Sequence, residues 1–144
     1  DFAQLVNENV TLIDTMQDTK LDRAGVIKKF GVPPEKITDY LALVGDQSDN
    51  VPGVSGVGPK TAANWLKKYG SLDEIVKRAN TIEGKVGESL RAHLDKLPLA
   101  KTLVTTKEDV PLAIGLDDLQ QKETDHALLL EFFKRYEFQA WLKE

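Results

Sequence analysis

The sequence predicts a mainly helical domain with a few short strands, and three observations support that fold class. Residues 35–45 and 86–105 repeat apolar side chains three or four positions apart, which is the spacing of an amphipathic helix. Glycine and proline stand at the ends of such stretches, where they stop and start helices. The run NVTLID, residues 9–14, alternates in the manner of an edge strand or one half of a hairpin.

Glycine stops and a proline start place the remaining helices in order along the chain. Gly31, Gly45 and Gly70 each follow an apolar-periodic stretch, and Pro59 fits the first position of a helix. Ser71 is a typical N-cap, the residue type that accepts a hydrogen bond from the first helical turn. The predicted helices cover residues 21–30, 35–45, 59–69, 72–79, 86–105 and 125–136.

Three local features complete this prediction. Glu74, three residues after Ser71, completes the pattern of a capping box. The segment Val110–Ile114 predicts a short extended stretch. Large aromatic side chains are expected to pack in the core, namely Trp65, Trp141, Phe132 and Phe133.

The composition limits the classes of protein that this chain can belong to. Hydrophobic residues make up 41% and charged residues 29% of the 144 residues, which is typical of a globular chain. The absence of cysteine excludes disulfides, thiolate zinc sites and cysteine nucleophiles. No apolar run approaches the roughly 18 residues of a membrane helix. The composition therefore predicts a soluble, cytoplasmic protein with no membrane partner.

Charge is distributed unevenly along the chain. The net charge is −4, yet residues 53–105 carry nine basic and five acidic side chains. Residues 1–52 and residues 106–144 each carry five basic and nine acidic side chains. Phosphate binding depends on such a local basic patch rather than on net charge. Charge alone still favours the simpler alternative, a solvated surface with chance clustering.

The loop PGVSGVGPKTA, residues 52–62, has the composition of a phosphate-binding turn. Gly56 and Gly58 permit positive backbone dihedrals and leave room for a phosphate to reach the backbone N–H groups. The helix that follows adds unpaired N–H donors and a partial positive charge. Lys60 supplies a full positive charge, and Lys67 lies about two turns further along the same face.

This loop resembles the helix-hairpin-helix motif, which holds a DNA backbone without reading its bases. The resemblance implies DNA contacts from Gly56, Gly58, Lys60, Thr61 and Lys67. It also implies a monovalent cation such as K⁺ at the carbonyls of Pro52, Val54 and Val57. The alternative is an ordinary glycine turn between packed helices. A lone G-V-G would favour that alternative, whereas the whole pattern favours the motif.

The run GDQSDN, residues 45–50, places two carboxylates just before that loop. Asp46 and Asp49 are three residues apart at a helix end, so both can face one side. Two carboxylates held close repel each other unless a cation lies nearby. Oxygen ligands suit Mg²⁺ or Mn²⁺. The alternative gives Asp46 a capping role and Asp49 an Asx-turn, but the neighbouring loop favours the metal.

The stretch GDQSDNVPGVSGVGPKTAANWLKKYGSLDEI resembles the 5′-nuclease superfamily, specifically the 5′–3′ exonuclease domain of bacterial DNA polymerase I. The opening DFAQLV and the run GKVGESLRAHLDKLPLAKTLVTTKEDVPL are similar to parts of the same domain, so the resemblance covers essentially the whole chain. It implies hydrolysis of phosphodiester bonds near 5′ ends and flap junctions with two divalent ions, as a DNA replication and repair nuclease. Asp1, Asp46 and Asp49 match three of the family's metal ligands.

The resemblance also implies that the family's N-terminal α/β half is absent from this chain. We therefore expect a fragment that is inactive or nearly so by itself. Its expected partners are duplex or flapped DNA, the missing half and an attached polymerase, and its expected location is the bacterial cytoplasm in association with the nucleoid. The expected parts are residues 1–34, a remnant of the α/β core; residues 35–105, the helix-hairpin-helix region; and residues 106–144, a C-terminal strand and helices completing the same domain. The alternative function is a non-catalytic module that binds duplex DNA.

Overall fold

Helices dominate the computed structural model, which describes residues 1–143. The helices are α1 (Arg23–Phe30), α2 (Ile37–Val44), α3 (Pro59–Tyr69), α4 (Leu72–Lys77), α5 (Gly84–Ala92), α6 (Leu97–Val104) and α7 (His126–Arg135). The strands are β1 (Leu12–Asp14), β2 (Thr19–Leu21), β3 (Gly45–Asp46) and β4 (Val51–Pro52), paired β1 with β2 and β3 with β4. Turns of 3₁₀ helix span Phe2–Leu5, Pro34–Lys36, Ala79–Thr81, Leu116–Leu119 and Trp141–Lys143. The mainly helical prediction is confirmed.

Helix α2 lies at the centre of the compact unit formed by residues 1–108. It packs against α3 on one side and α6 on another. Ile37, Ala42 and Leu43 are almost completely buried, because the helical repeat places apolar residues on most of its circumference. This burial fixes the end of α2, which is where the candidate site begins.

One carboxylate in this core is buried, and each of its two oxygens contacts a hydrogen-bond donor. Asp39 of α2 is only 8% exposed. Its Oδ2 accepts a hydrogen bond of 2.9 Å from the N–H of Leu72, and its Oδ1 lies 2.9 Å from Nζ of Lys101. The hydrogen bond to Asp39 raises the pKa of Lys101. Asp39 thus joins α2 to the start of α4 and to α6.

The predicted helix over residues 86–105 is wrong as a single element. The structure divides it into α5 and α6, with a break between Ala92 and Leu97. Pro98 lies in the first turn of α6, because its ring excludes it from a helix interior. Leu103, predicted on the buried face, is 58% exposed. It lies six residues after the buried Leu97 in the same helix, which is about 240° around the axis, so the two side chains do not share a face.

One element was not predicted, and one local prediction needs correction. The segment from Gly45 to Gly58 contains the β3–β4 pair, whose strands of two residues each are too short to be recognised in the sequence. The capping box is half formed. Oγ of Ser71 accepts the N–H of Glu74 at 3.2 Å, but the Glu74 carboxylate turns to Lys77 at 2.7 Å. The charged partner one turn away provides the stronger hydrogen bond.

Residues from Asp109 onward form a second compact unit. Helix α7 begins at the N-cap Asp125, whose Oδ1 accepts the N–H of Leu128 at 2.9 Å. Trp141 and Phe132 are 53% and 47% exposed, so their predicted burial is wrong, whereas Trp65 is buried as predicted. Trp141 contacts other aromatic rings of its own short unit, which is too small to enclose it.

The segment predicted to be extended, Val110–Ile114, forms no strand within residues 1–143. Pro111 lies inside it and has no N–H to donate to a ladder. The division of the chain into residues 1–34, 35–105 and 106–144 stays a prediction.

We expect Asp39→Ala to lower the free energy of unfolding by about 2 kcal/mol, because it leaves the N–H of Leu72 and the ammonium of Lys101 without their charged acceptor. Glu88→Ala is the control, since Glu88 is an exposed carboxylate on α5. It should change stability by less than about 0.5 kcal/mol. Urea unfolding followed by circular dichroism measures both values, and equal losses would contradict the role of Asp39.

The Lys101–Asp39 pair also predicts a pH dependence. A lysine whose pKa is raised in the folded state stabilises the fold fully below its unfolded value, about 10.4, and loses that contribution as the pH rises through the folded pKa. The stability difference between wild type and Lys101→Met should therefore shrink as the pH rises from about 10.4 through the raised pKa of folded Lys101. Urea midpoints measured across this range test it, and a difference that stays constant contradicts the pair.

Candidate metal and nucleic-acid site

The site begins where the backbones of two glycines meet. Gly45 ends α2 with a φ of +85°, and Gly53 follows β4. A Cβ on Gly53 would lie 2.2 Å from the carbonyl carbon of Val44 and 2.4 Å from N of Gly45. A Cβ on Gly45 would lie 2.5 Å from N of Gly53. Only glycine permits this approach, which closes residues 46–52 into a fixed loop.

A tight turn follows this contact and carries the glycine pair predicted to bind phosphate. The N–H of Val54 donates to the carbonyl of Leu43 at 2.8 Å, and the N–H of Val57 donates to the carbonyl of Val54 at 2.9 Å. Gly56 has a φ of +77°, a conformation that turns reserve for glycine. The buried side chains of Val54 and Val57 anchor the turn in the core. The turn therefore has little freedom to move.

The glycines of the turn face solvent. Gly56 is exposed and Gly58 is half-buried. Within residues 1–143, neither of their N–H groups donates a hydrogen bond. Gly58 is the N-cap of α3 and provides no side-chain acceptor for the first turn. The turn and the start of α3 thus present several unpaired N–H donors together, as an anion site requires.

The predicted basic and hydroxyl side chains follow on α3. Lys60 and Lys67 are exposed, and Thr61 is half-buried. Seven residues separate the two lysines, so they lie on one face about 10 Å apart along the axis. Pro59 occupies the first helical position, as predicted. All five predicted DNA-contacting residues therefore belong to one continuous turn-and-helix segment.

Three carboxylates meet at the loop that precedes this turn in the chain. Asp1, Asp46 and Asp49 each place one carboxylate oxygen within 4.8 Å of the others. Asp1 and Asp49 are exposed, and Asp46 is half-buried. Oδ1 of Asp46 accepts the N–H groups of Ser48 at 2.8 Å and Asp49 at 3.3 Å, which is an Asx-turn. The Asx-turn, expected from the sequence at Asp49 as the alternative to metal binding, is thus formed by Asp46 instead. It is present together with the carboxylate cluster.

The cluster fits a small divalent cation by its chemistry. All three donors are oxygens, which Mg²⁺ and Mn²⁺ prefer. Oxygens on opposite sides of an octahedral Mg²⁺ are about 4.2 Å apart, so small side-chain rotations would bring these oxygens to coordination distance. Oδ1 of Asp46 already accepts two N–H groups, which leaves Oδ2 for a cation. Three protein ligands leave further positions for water or a phosphate oxygen.

The carbonyls predicted to hold a monovalent cation lie along the same loop. Pro52 belongs to β4, and Val54 and Val57 form the ends of the tight turn. The Val54 carbonyl already accepts one N–H and retains a second lone pair. Their role in holding a cation stays a prediction.

Sequence reasoning missed three contacts that shape the site. Gly45 was predicted as a helix stop and Gly53 only as part of the loop, and no local pattern shows that their backbones touch. Gln4, whose side chain bonds Asp1 and α2, carries no motif signal. Asp39 did offer a signal, because it is a lone acid among the apolar residues of α2.

Comparison with known proteins identifies the family. Residues 32–127 match the family model described as 5′–3′ exonuclease, C-terminal SAM fold. The chain belongs to this family. It is 46% identical over 144 residues to a 5′–3′ exonuclease of Aquifex aeolicus and covers 49% of that protein. It is 44% identical over 139 residues to DNA polymerase I of Rhizobium leguminosarum and covers 14% of it.

Solved structures share the fold of this domain. A variant of the T5 5′-exonuclease superposes with a TM-score of 0.67 at 22% identity, covering 72% of this chain and 43% of that protein. A T5 D15 flap endonuclease complex with DNA and metal ions gives 0.66 at 23% identity, covering 72% and 39%. The chain thus spans 49% of the Aquifex exonuclease, 43% and 39% of the two T5 proteins, and 14% of the Rhizobium polymerase. None of its described helices is long and apolar enough to cross a membrane.

We expect Gly53→Ala to destabilise the 5′–3′ exonuclease domain by about 3 kcal/mol, because its Cβ would overlap the backbone of Val44. Gly58→Ala is the matched control. Its backbone is extended, with a φ of −92°, and an added Cβ meets nothing within 4 Å. Thermal unfolding should separate the two variants by more than 5 °C, and equal unfolding temperatures would contradict the close backbone approach.

Proposed function

We propose that this chain is the DNA-holding and partly metal-binding half of a structure-specific 5′–3′ exonuclease and flap endonuclease of the DNA polymerase I type. One observation supports the proposal most strongly. The Asp1, Asp46 and Asp49 oxygens lie together, and the loop that carries Asp46 and Asp49 leads directly into a glycine turn with unpaired N–H donors. One continuous segment of the chain thus carries both a candidate divalent-cation site and a candidate phosphate site.

Each part has a distinct task in this proposal. The turn at Gly56 and Gly58 and the start of α3 hold one phosphate of the duplex, and Lys60 and Lys67 extend the contact. These contacts fix the register of the DNA without reading its sequence. The backbone contact of Gly45 with Gly53 then sets how far the held phosphate lies from the carboxylates. Thr61 contributes a hydroxyl donor, and the carbonyls of the loop accommodate K⁺.

The carboxylates would hold Mg²⁺ or Mn²⁺. The ion, when bound, neutralises charge on the scissile phosphate and lowers the pKa of a water that attacks it. The Asx-turn fixes the spacing of Asp46 and Asp49, and the fold brings Asp1, the first residue, next to them. Two ions require more ligands than three aspartates provide. The proposed partner that completes the centre is therefore the complementary half of the nuclease, and an attached polymerase is a second proposed partner.

Phosphate binding is tested by charge reversal. Lys60→Glu should weaken binding of a 5′-flap duplex about tenfold at 100 mM salt and reduce the salt slope, because one phosphate contact is lost. The loss should be the same for unrelated DNA sequences. Lys20→Glu, an exposed lysine on β2, makes the same charge change outside the turn and should weaken binding much less. Fluorescence anisotropy measures both, and equal effects would contradict the assignment of the turn.

Metal dependence is tested in a nuclease that contains the whole centre. The aligned 144 residues of the Aquifex aeolicus relative are replaced by this chain, and Mn²⁺-dependent flap cleavage is measured. Asp46→Asn keeps an oxygen for the Asx-turn but removes the charge, and it should reduce the rate at least 100-fold.

Asp14→Asn is the matched control for this variant. Oδ1 of Asp14 accepts the N–H groups of Met16 and Gln17 at 2.9 and 3.1 Å, which is the same turn away from the cluster. Its rate should equal that of the parent. Cleavage that survives Asp46→Asn would remove the metal role, and DNA binding without any cleavage would favour the non-catalytic duplex-binding module.

A further inference from the structure

The side-chain amide of Gln4 makes four hydrogen bonds. Its Nε2 donates to the carbonyls of Asp1 and Val104, both at 3.0 Å. Its Oε1 accepts from Oγ1 of Thr38 at 3.2 Å and from the N–H of Thr106 at 3.0 Å. Two donor hydrogens and two acceptor lone pairs are the full capacity of an amide. The half-buried side chain is therefore held in one orientation.

The partners of this amide lie on three segments that are distant in sequence. Asp1 precedes the first 3₁₀ turn, Thr38 lies in the first turn of α2, and Val104 ends α6. Helix α2 leads directly into the loop that carries Asp46. Gln4 thus ties the segment of one cluster carboxylate to the helix that positions the other two.

Gln4 also supplies both hydrogen bonds that the Asp1 carbonyl accepts within the part of the chain that the structure describes. Its backbone N–H donates at 3.1 Å, and its Nε2 donates at 3.0 Å. Asp1 is exposed, and its carboxylate carries the same charge as those of Asp46 and Asp49, so repulsion between the carboxylates would move its side chain away. The two hydrogen bonds oppose that movement.

We propose that Gln4 is a positioning residue for the divalent-cation site, holding the Asp1 backbone so that its carboxylate stays beside Asp46 and Asp49. This inference rests on the proposed function. Gln4 acts through Asp1 and does not itself coordinate the ion. Groups that orient metal ligands in this way change affinity about 10- to 100-fold when they are removed.

A purely structural clamp predicts a different result. The Gln4 side chain also joins α2 to the end of α6. Its loss therefore lowers the free energy of unfolding whether Gln4 positions Asp1 or only stabilises the fold. A clamp that only stabilises the fold leaves the cation affinity of the folded protein unchanged. Cation affinity therefore separates positioning from stability.

The test uses two variants of the 144-residue chain. Gln4→Glu keeps the shape and one oxygen but turns a second oxygen towards the carbonyls of Asp1 and Val104, which repel it. Gln4→Met keeps the length and removes all polar contacts. The charge-matched control is Gln17→Glu, at an exposed position of the β1–β2 hairpin. The Mn²⁺ Kd is obtained from the electron paramagnetic resonance signal of free Mn²⁺, at a temperature where circular dichroism shows every variant folded.

We expect the Mn²⁺ Kd to rise about tenfold in Gln4→Glu and in Gln4→Met and to stay within twofold in Gln17→Glu. For Gln4→Glu, the direction of the change in the Mn²⁺ Kd is decisive. An added negative charge near the cluster would by itself tighten cation binding, so weaker binding requires loss of position.

Two results overturn the inference in distinguishable ways. Wild-type affinity or tighter binding in both Gln4 variants, with a lower unfolding temperature, makes Gln4 a structural clamp only. If the wild type binds Mn²⁺ no better than Asp46→Asn, the cation site itself is absent. The metal part of the proposed function then fails together with this inference.

Discussion

The close approach of the Gly45 and Gly53 backbones is the constraint on which the rest of the site depends. It brings the end of α2 against the start of the glycine turn. The loop that carries Asp46 and Asp49 and the turn that carries the Gly56 and Gly58 amides therefore both start from this contact. Side chains at either position would separate these two features. The burial of α2 between α3 and α6 holds the base in place, and Asp39 adds a charged link to α4 and α6.

The site combines a rigid part with an exposed part. The carboxylate loop and the turn are anchored by buried valines and by the hydrogen bond from the N–H of Val54 to the Leu43 carbonyl of α2. The groups that would meet DNA in the proposed function, at Gly56, Gly58 and the α3 lysines, are exposed or half-buried. Such preorganisation lowers the entropic cost of binding, and it suits a contact that must set the distance from a held phosphate to the cleaved one.

The sequence predicted the elements that local chemistry determines and missed those that depend on distant contacts. The start of α3 at Pro59, its end at Gly70 and the aspartate spacing follow from short-range rules. The split of the 86–105 helix was foreseeable from Pro98, because proline belongs in a first turn. Nothing local showed that Gln4 would bond Thr38 and Thr106, since those contacts exist only after the chain has folded. Likewise, the exposure of Trp141 depends on how few residues surround it.

The central claim is that the chain holds a divalent cation at Asp1, Asp46 and Asp49 and a DNA phosphate at the glycine turn that follows. The most direct measurement is a crystal structure of the chain with Mn²⁺ and a short 5′-flap duplex, using the anomalous signal of manganese. The account predicts a manganese peak among the carboxylates of Asp1, Asp46 and Asp49, together with a DNA phosphate at the amides of Gly56 and Gly58. Manganese at other carboxylates, or a duplex bound to a surface that excludes the glycine turn, would contradict it.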